Sequence, residues 1–255
     1  MARPLTAAQP LVVEFVGLPG VGKSHLTRLV ARRLAAAGTP VRSPALRVNH
    51  ELGTFRRVLY KFGVSAEQML RRPGYAVHVG RELIRSGQQR PVDVVRLSYN
   101  WLFLVGLLRR ARSQPIVELM DEGTVQLLWS IGFAGDDHAI HQRSSNLLSG
   151  SALPMPDVVV VVEAPLGLIQ TRLESRRSRA GRLDRMESAQ RHAALVRGTR
   201  LLGEVLSEEV GVLGSASGPV LRRVRNGNAV EFRADVDALV AELALLARRP
   251  RPGST

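Results

Sequence analysis

Cysteine is absent from this sequence and lysine nearly so: of 36 lysines and arginines, only Lys23 and Lys61 are lysine. Without cysteine there is neither a disulfide framework nor a thiolate metal site. Long apolar runs are missing too. The longest apolar patches, Trp101–Leu108 and Val158–Val162, fall well short of the roughly 20 residues of a membrane span. The N-terminal region has no signal-peptide cleavage pattern, and its first apolar run leads straight into a glycine loop. A cytoplasmic chain with no membrane span is the expectation. Acidic residues are outnumbered 22 to 36, for a net charge of +14. Such an excess attracts phosphate groups. The arginines are nevertheless dispersed rather than massed in one arm, as on solvated helix faces. Nucleic acid is therefore not an expected partner.

What is present alternates between strand-like and helix-like segments. Strands are expected at Leu11–Val16, near Pro40–Ser43, at Pro115–Met120, at Asp157–Val162 and at Val220–Val224. Five consecutive valines in the fourth fit a strand buried on both faces. Residues 46–113 carry helical patterns with breaks expected at Gly63, Pro73-Gly74 and Pro91. Such alternation implies an α/β fold with a parallel sheet covered on both faces, and ligands at the carboxyl ends of its strands. One domain is expected over 10–248, with 249–255 a disordered tail.

Gly17-Leu18-Pro19-Gly20-Val21-Gly22-Lys23-Ser24 follows the first strand and opens an amphipathic helix. It satisfies the phosphate-loop pattern G-x-x-x-x-G-K-[ST]. Glycines let backbone N–H groups converge on a phosphate, and the helix start adds positive potential. Lys23 is expected on the β- and γ-phosphates of ATP, and the Ser24 hydroxyl on Mg²⁺. Gly17, Pro19, Gly20, Val21, Gly22 and His25 complete the expected nucleotide-facing set.

Asp121, at the end of the third strand, stands where a second Mg²⁺ ligand belongs; capping the next helix is the competing role. Glu122 is a candidate base, and Gly123 is expected to turn the chain away from the strand. After the fourth strand, Arg172 and Arg176 are four apart on an expected helix face. With Arg182 they make an arginine-loaded segment suited to closing over phosphates. Glu174 is expected to pair with Arg177 or Arg179.

The loop, the strand-end acid and Arg172-x-x-x-Arg176 followed by Leu183-Asp184-Arg185-Met186-Glu187 resemble the thymidylate kinase-like group of nucleoside monophosphate kinases. That resemblance spans about the first forty residues and then Pro115 to the last helix. It implies a P-loop NTPase three-layer sandwich with a five-stranded parallel sheet, a helical acceptor-side region at 46–113 and a lid at 176–187. It also implies that Asn226, in Arg225-Asn226-Gly227-Asn228, lies near the adenine. The family has Asp-Arg-aromatic where this chain has Asp121-Glu122-Gly123.

An ATP- and Mg²⁺-dependent phosphotransferase acting on a nucleotide or other small acceptor is the resulting expectation, with a homodimer as a candidate assembly. A hydroxyl acceptor needs a base where a phosphate acceptor does not, which makes Glu122 an argument for a nucleoside or sugar. An ATPase switch acting on a protein partner is the further alternative. A GTP switch is disfavoured, because neither Asn-Lys-x-Asp nor Asp-x-x-Gly after the third strand occurs. Acceptor-side candidates are Arg47, His50, Arg56, Arg57, Arg81, Arg85, Arg96, Tyr99, Asn100, Trp101 and Gln126.

Overall fold

A computed structural model describes residues 10–43, 53–88, 90–135, 146–148, 155–176, 181, 183–212 and 219–248. In chain order they form β1 (Leu11–Val16), α1 (Lys23–Ala36), β2 (Val41–Arg42), α2 (Thr54–Arg71), α3 (Pro73–Arg85) and α4 (Pro91–Ala111). There follow β3 (Val117–Met120), α5 (Thr124–Ala134), β4 (Val158–Glu163) and α6 (Leu166–Glu174). A 3₁₀ turn at Leu183–Arg185, α7 (Ser188–Val212), β5 (Val220–Arg225) and α8 (Ala229–Leu246) complete the order.

The strands make one sheet in the order β2-β3-β1-β4-β5, with every neighbouring pair parallel. Parallel neighbours cannot be joined by hairpins, so helices cross over and cover both faces. The burial pattern follows: all six residues of β1, all four of β3 and the five valines of β4 are buried. This is the three-layer α/β sandwich with a five-stranded parallel sheet that the sequence leads one to expect. Asp157 clamps its lower edge, accepting the Val12 N–H at 2.7 Å and two contacts from Arg112 Nη1 at 2.7 Å.

The register has a consequence for chemistry. Glu14 pairs with Met120 across β1 and β3, so Asp121 lies level with Phe15, just below the glycine loop. Val16 pairs with Val161 on the other side, which brings the end of β4 to the same rim.

Helices fill 54–111. Pro73 and Pro91 open α3 and α4, at the first helical turn where a missing N–H costs nothing. The break expected at Gly63 does not occur, and α2 runs through it. Glycine in an exposed helix interior costs only about 1 kcal/mol. Packing on the opposite face outweighs this, where Val64, Ser65 and Gln68 are buried. The length and hydropathy of α4 would suit a membrane span, but half of that window is buried in the protein. Trp101 to Leu108 are buried on every side of the helix, and Trp101 Nε1 donates to Tyr75 Oη at 2.6 Å.

Leu119 is fully buried in β3, beside the acid-bearing turn. Leu119→Ala is expected to lower the unfolding free energy by about 2–5 kcal/mol. Urea unfolding followed by circular dichroism reads this directly; a loss within error would contradict the packing described.

Candidate active site

At Gly17, Gly20 and Gly22 the backbone takes φ of 152°, 90° and 105°. Gly22 caps α1 in the left-handed region, and a Cβ there would overlap the Asn226 amide. Side-chain-bearing residues fit neither condition. Lys23 Nζ folds back into the loop, donating to the Gly17 carbonyl at 2.6 Å and the Leu18 carbonyl at 3.3 Å. Burial pushes its pKa down to about 8; Glu122 and then Asp121 oppose the shift, and the Arg176 charge adds to it. This ammonium is desolvated, hydrogen-bonded to two backbone carbonyls and close to the charges of two carboxylates.

The Ser24 hydroxyl donates to Asp121 Oδ2 at 3.1 Å. Asp121 is buried, and its Oδ1 has no hydrogen-bond partner. A buried carboxylate oxygen left unpartnered is costly, and a cation beside Ser24 would satisfy it. Mg²⁺ takes one or two protein oxygens and fills its remaining positions with phosphates and water, so this donor pair fits it.

Asp121 does not cap α5. The cap residue is Gly123, and the first-turn N–H groups turn toward Glu14 inside β1. Glu14 Oε1 accepts the Gln126 N–H at 2.8 Å, and the N–H groups of Val125, Thr124 and Gly123 also stabilise its charge. Burial nevertheless prevails and raises the carboxyl to about 7. Gly123 is not needed for a special turn, since its φ is an ordinary −126°. It is needed for room: a Cβ there would overlap the Glu14 carboxyl. The aromatic of the Asp-Arg-aromatic pattern has no space here.

The expected pairing of Arg172 with Arg176 on one face is not realised, because α6 ends at Glu174. Arg172 turns to the Val21 carbonyl at 3.1 Å and the Asn226 carbonyl at 3.3 Å. Asn226 Nδ2 donates to the same Val21 carbonyl at 2.7 Å. Together with His25, Gly227 and Phe232 they line a cavity of about 430 Å³, and the His25 and Phe232 rings stack at 6.2 Å. Phe232 was not foreseen; its only sequence signal is an aromatic soon after Asn226-Gly227-Asn228. Arg176 faces a different cavity, within 3.8 Å of the buried Asp184. Glu174 pairs with Arg191 at 2.7 Å, and that buried arginine also donates to the Leu183 and Met186 carbonyls. Arg182, Arg177, Arg179, Arg47 and His50 lie outside the described residues.

One cavity of about 520 Å³ holds the phosphate loop, Lys23, Ser24, Asp121, Glu122 and Arg176. Its far wall comes from α2, α4 and α5: Lys61, Arg96, Asn100, Phe103, Gln126 and Ser130. Both lysines of the chain therefore line it, with Lys61 Nζ 5.1 Å from the Phe103 ring centre. Of the acceptor-side candidates, Arg96, Asn100 and Gln126 are there. Trp101 is fully buried in the core instead. Tyr99 bonds the Val58 carbonyl, and Arg85 pairs with Glu82. Arg56 and Arg81 do not line the cavity either. Sequence reading also missed Glu14, which looks like any polar residue breaking an apolar strand.

The chain matches no protein-family model and no curated protein. Among solved structures it is similar to thymidylate kinase from Candida albicans, with a TM-score of 0.54 at 11% identity over 96% of each chain. It is also similar to thymidylate kinase from Ehrlichia chaffeensis, with a TM-score of 0.47 at 10% identity, over 91% of this chain and 98% of that one. The fold is thus that of the thymidylate kinase-like P-loop kinases, in a divergent sequence.

Glu14 makes stability pH-dependent. Between pH 4.5 and about 7 the folded protein keeps a proton that the unfolded chain releases, so stability falls as pH rises through that window. The decline is on the order of 3 kcal/mol. Glu14→Gln should remove most of it: chemical unfolding at pH 5 and at pH 8 should give a clearly smaller drop in the variant than in the wild type, the raised Glu118 carboxyl contributing in the same direction. Parallel profiles would remove Glu14 as the cause.

Proposed function

We propose that this protein is an ATP-dependent phosphotransferase that carries the γ-phosphoryl group to a nucleotide or another small acceptor. One observation carries this reading: the phosphate loop, the acid pair and a helical wall of mixed polarity share a single cavity. A switch that only hydrolyses ATP needs no such wall, whereas a transferase must hold a second molecule in line with the first.

The residues divide the work. ATP–Mg²⁺, when bound, would supply the phosphoryl group and a cation that neutralises its charge. Lys23 trades the Gly17 and Leu18 carbonyls for phosphate oxygens. Ser24 and Asp121 would hold the cation. Arg176, anchored by Asp184, offsets negative charge at the transfer point. Arg172 and Asn226, with His25 and Phe232 beside them, would hold the base at the other end of the loop.

A hydroxyl-bearing acceptor is the second reading, and the position of Glu122 favours it. This carboxylate is exposed at the cavity wall, close enough to Lys23 to influence its charge. There it can take a hydroxyl proton, a role that a phosphate acceptor leaves idle.

The deciding measurement is ADP release from ATP–Mg²⁺, first without acceptor and then with nucleoside monophosphates, nucleosides and sugars. Acceptor-stimulated release, absent in Lys23→Ala, is expected. Steady release that no acceptor alters would replace the transferase reading with the ATPase switch. Glu122→Gln is expected to slow transfer to a hydroxyl acceptor by about 100-fold or more while sparing transfer to a phosphate. An equal loss with both acceptor types would remove Glu122 as a base.

A further inference from the structure

The buried carboxylate of Glu14 belongs to a closed circuit of contacts. Starting in β1, the Glu14 side chain accepts the Gln126 backbone N–H at 2.8 Å. The side chain of the same Gln126 reaches back, its Oε1 accepting the Gly17 N–H at 3.1 Å. Gly17 returns to Glu14 through Val16 and Phe15, both buried within β1. The ring therefore joins the interior of the sheet, the first turn of α5 and the start of the phosphate loop. Each of its polar groups is shielded from water, where a lost partner costs more than at the surface.

Asp121 and Glu122 sit on the segment between β3 and this ring, and Ser24 sits on the helix that follows the loop. Neither the acid turn nor the loop can shift without breaking a buried hydrogen bond or moving β1. Two further features tie the ring to this place. Gly123 leaves the space that the Glu14 carboxyl fills, and no side chain caps α5 from its own start, so Glu14 takes over from a local cap. Stability alone would require only the bond from α5 to Glu14; here the residue that donates it, Gln126, also ties the helix to Gly17 through its own side chain.

We propose that Glu14 is a positioning residue that acts through Gln126 to hold the Ser24 hydroxyl and the Asp121 carboxylate at the spacing a nucleotide-bound divalent cation requires. This inference rests on the nucleotide reading of the loop. Glu14 touches neither nucleotide nor cation; its effect is felt as coupling between the two. Breaking the ring leaves the loop able to bind phosphates but loosens the acid side, so Mg²⁺ strengthens nucleotide binding less.

Binding of a fluorescent ADP analogue, measured without acceptor in EDTA and then in Mg²⁺, gives a ratio of affinities. That ratio is unaffected by any role of Gln126 toward an acceptor, and partial unfolding cancels from it. Gln126→Leu keeps volume but removes the acceptor for the Gly17 N–H. Whatever its affinity in EDTA, it is expected to lose at least about fivefold of the Mg²⁺ enhancement. Glu14→Gln retains an acceptor oxygen and should keep most of the enhancement, whereas Glu14→Asp, one methylene short, should lose it. If Gln126→Leu does not fold, Glu14→Asp is read by the same ratio. An unchanged ratio in the folded variants overturns the positioning role alone. A wild type that binds no analogue in either condition overturns the nucleotide reading and this inference with it.

Discussion

The central strand β1 is hydrogen-bonded to a parallel neighbour on each side, and the chemistry of this protein is arranged around its carboxyl end. Parallel pairing directs the ends of β1, β3 and β4 to the same rim. The glycine loop leaves β1, the acid turn leaves β3, and the segment bearing Arg172 and Arg176 follows β4. Short helices starting at that rim present unsatisfied N–H groups to whatever lies above it. In α1 those groups face the open loop, where a phosphate would sit. In α5 they face inward, onto Glu14. Two helix starts at one rim thus differ: one opens onto the loop, and the other is met by a carboxylate from within the protein.

Electrostatics at the rim are held in tension. Lys23 is desolvated, with two carboxylates pulling its pKa up and an arginine pushing it down. Asp121 keeps a buried oxygen without a partner, a cost that a compact core does not ordinarily carry. Both are features of a site that gains stability when charge arrives, and they sit within hydrogen-bonding distance of the same loop. The two lysines line one cavity, together with Arg28, Arg96 and Arg176. Arginine's planar fork suits carbonyl clusters such as those held by Arg191 and Arg172. A lysine ammonium, compact and easily shifted by burial, suits the phosphate position.

Much of the architecture was legible in the chain because its determinants are local. Five valines in a row describe a strand buried on both faces, G-x-x-x-x-G-K-S describes a backbone path, and proline marks a helix start. Where the reading failed, a distant partner had changed the local preference. Gly63 did not break α2, because the opposite face of that helix was already committed to packing. Arg172 and Arg176 parted company because α6 stops between them and Val21 and Asn226, far away in sequence, claim the first. Gly123 looked like a turn residue and proved to be a space left for Glu14, a residue 109 positions earlier in the numbering of the chain.

The sequence by itself determined that an α/β sandwich would form, where its five strands lie to within a residue or two, and that a glycine loop would follow the first of them. These depend on periodicity and backbone freedom, properties that reside within a few neighbouring residues. Only the tertiary structure decided which carboxylate receives the first N–H groups of α5, which arginine lines the smaller cavity and which the larger, and which side chains of α2 and α4 complete the latter. Those outcomes depend on through-space competition for buried hydrogen bonds and volume, and the strand order that sets the competitors side by side is written in no single segment.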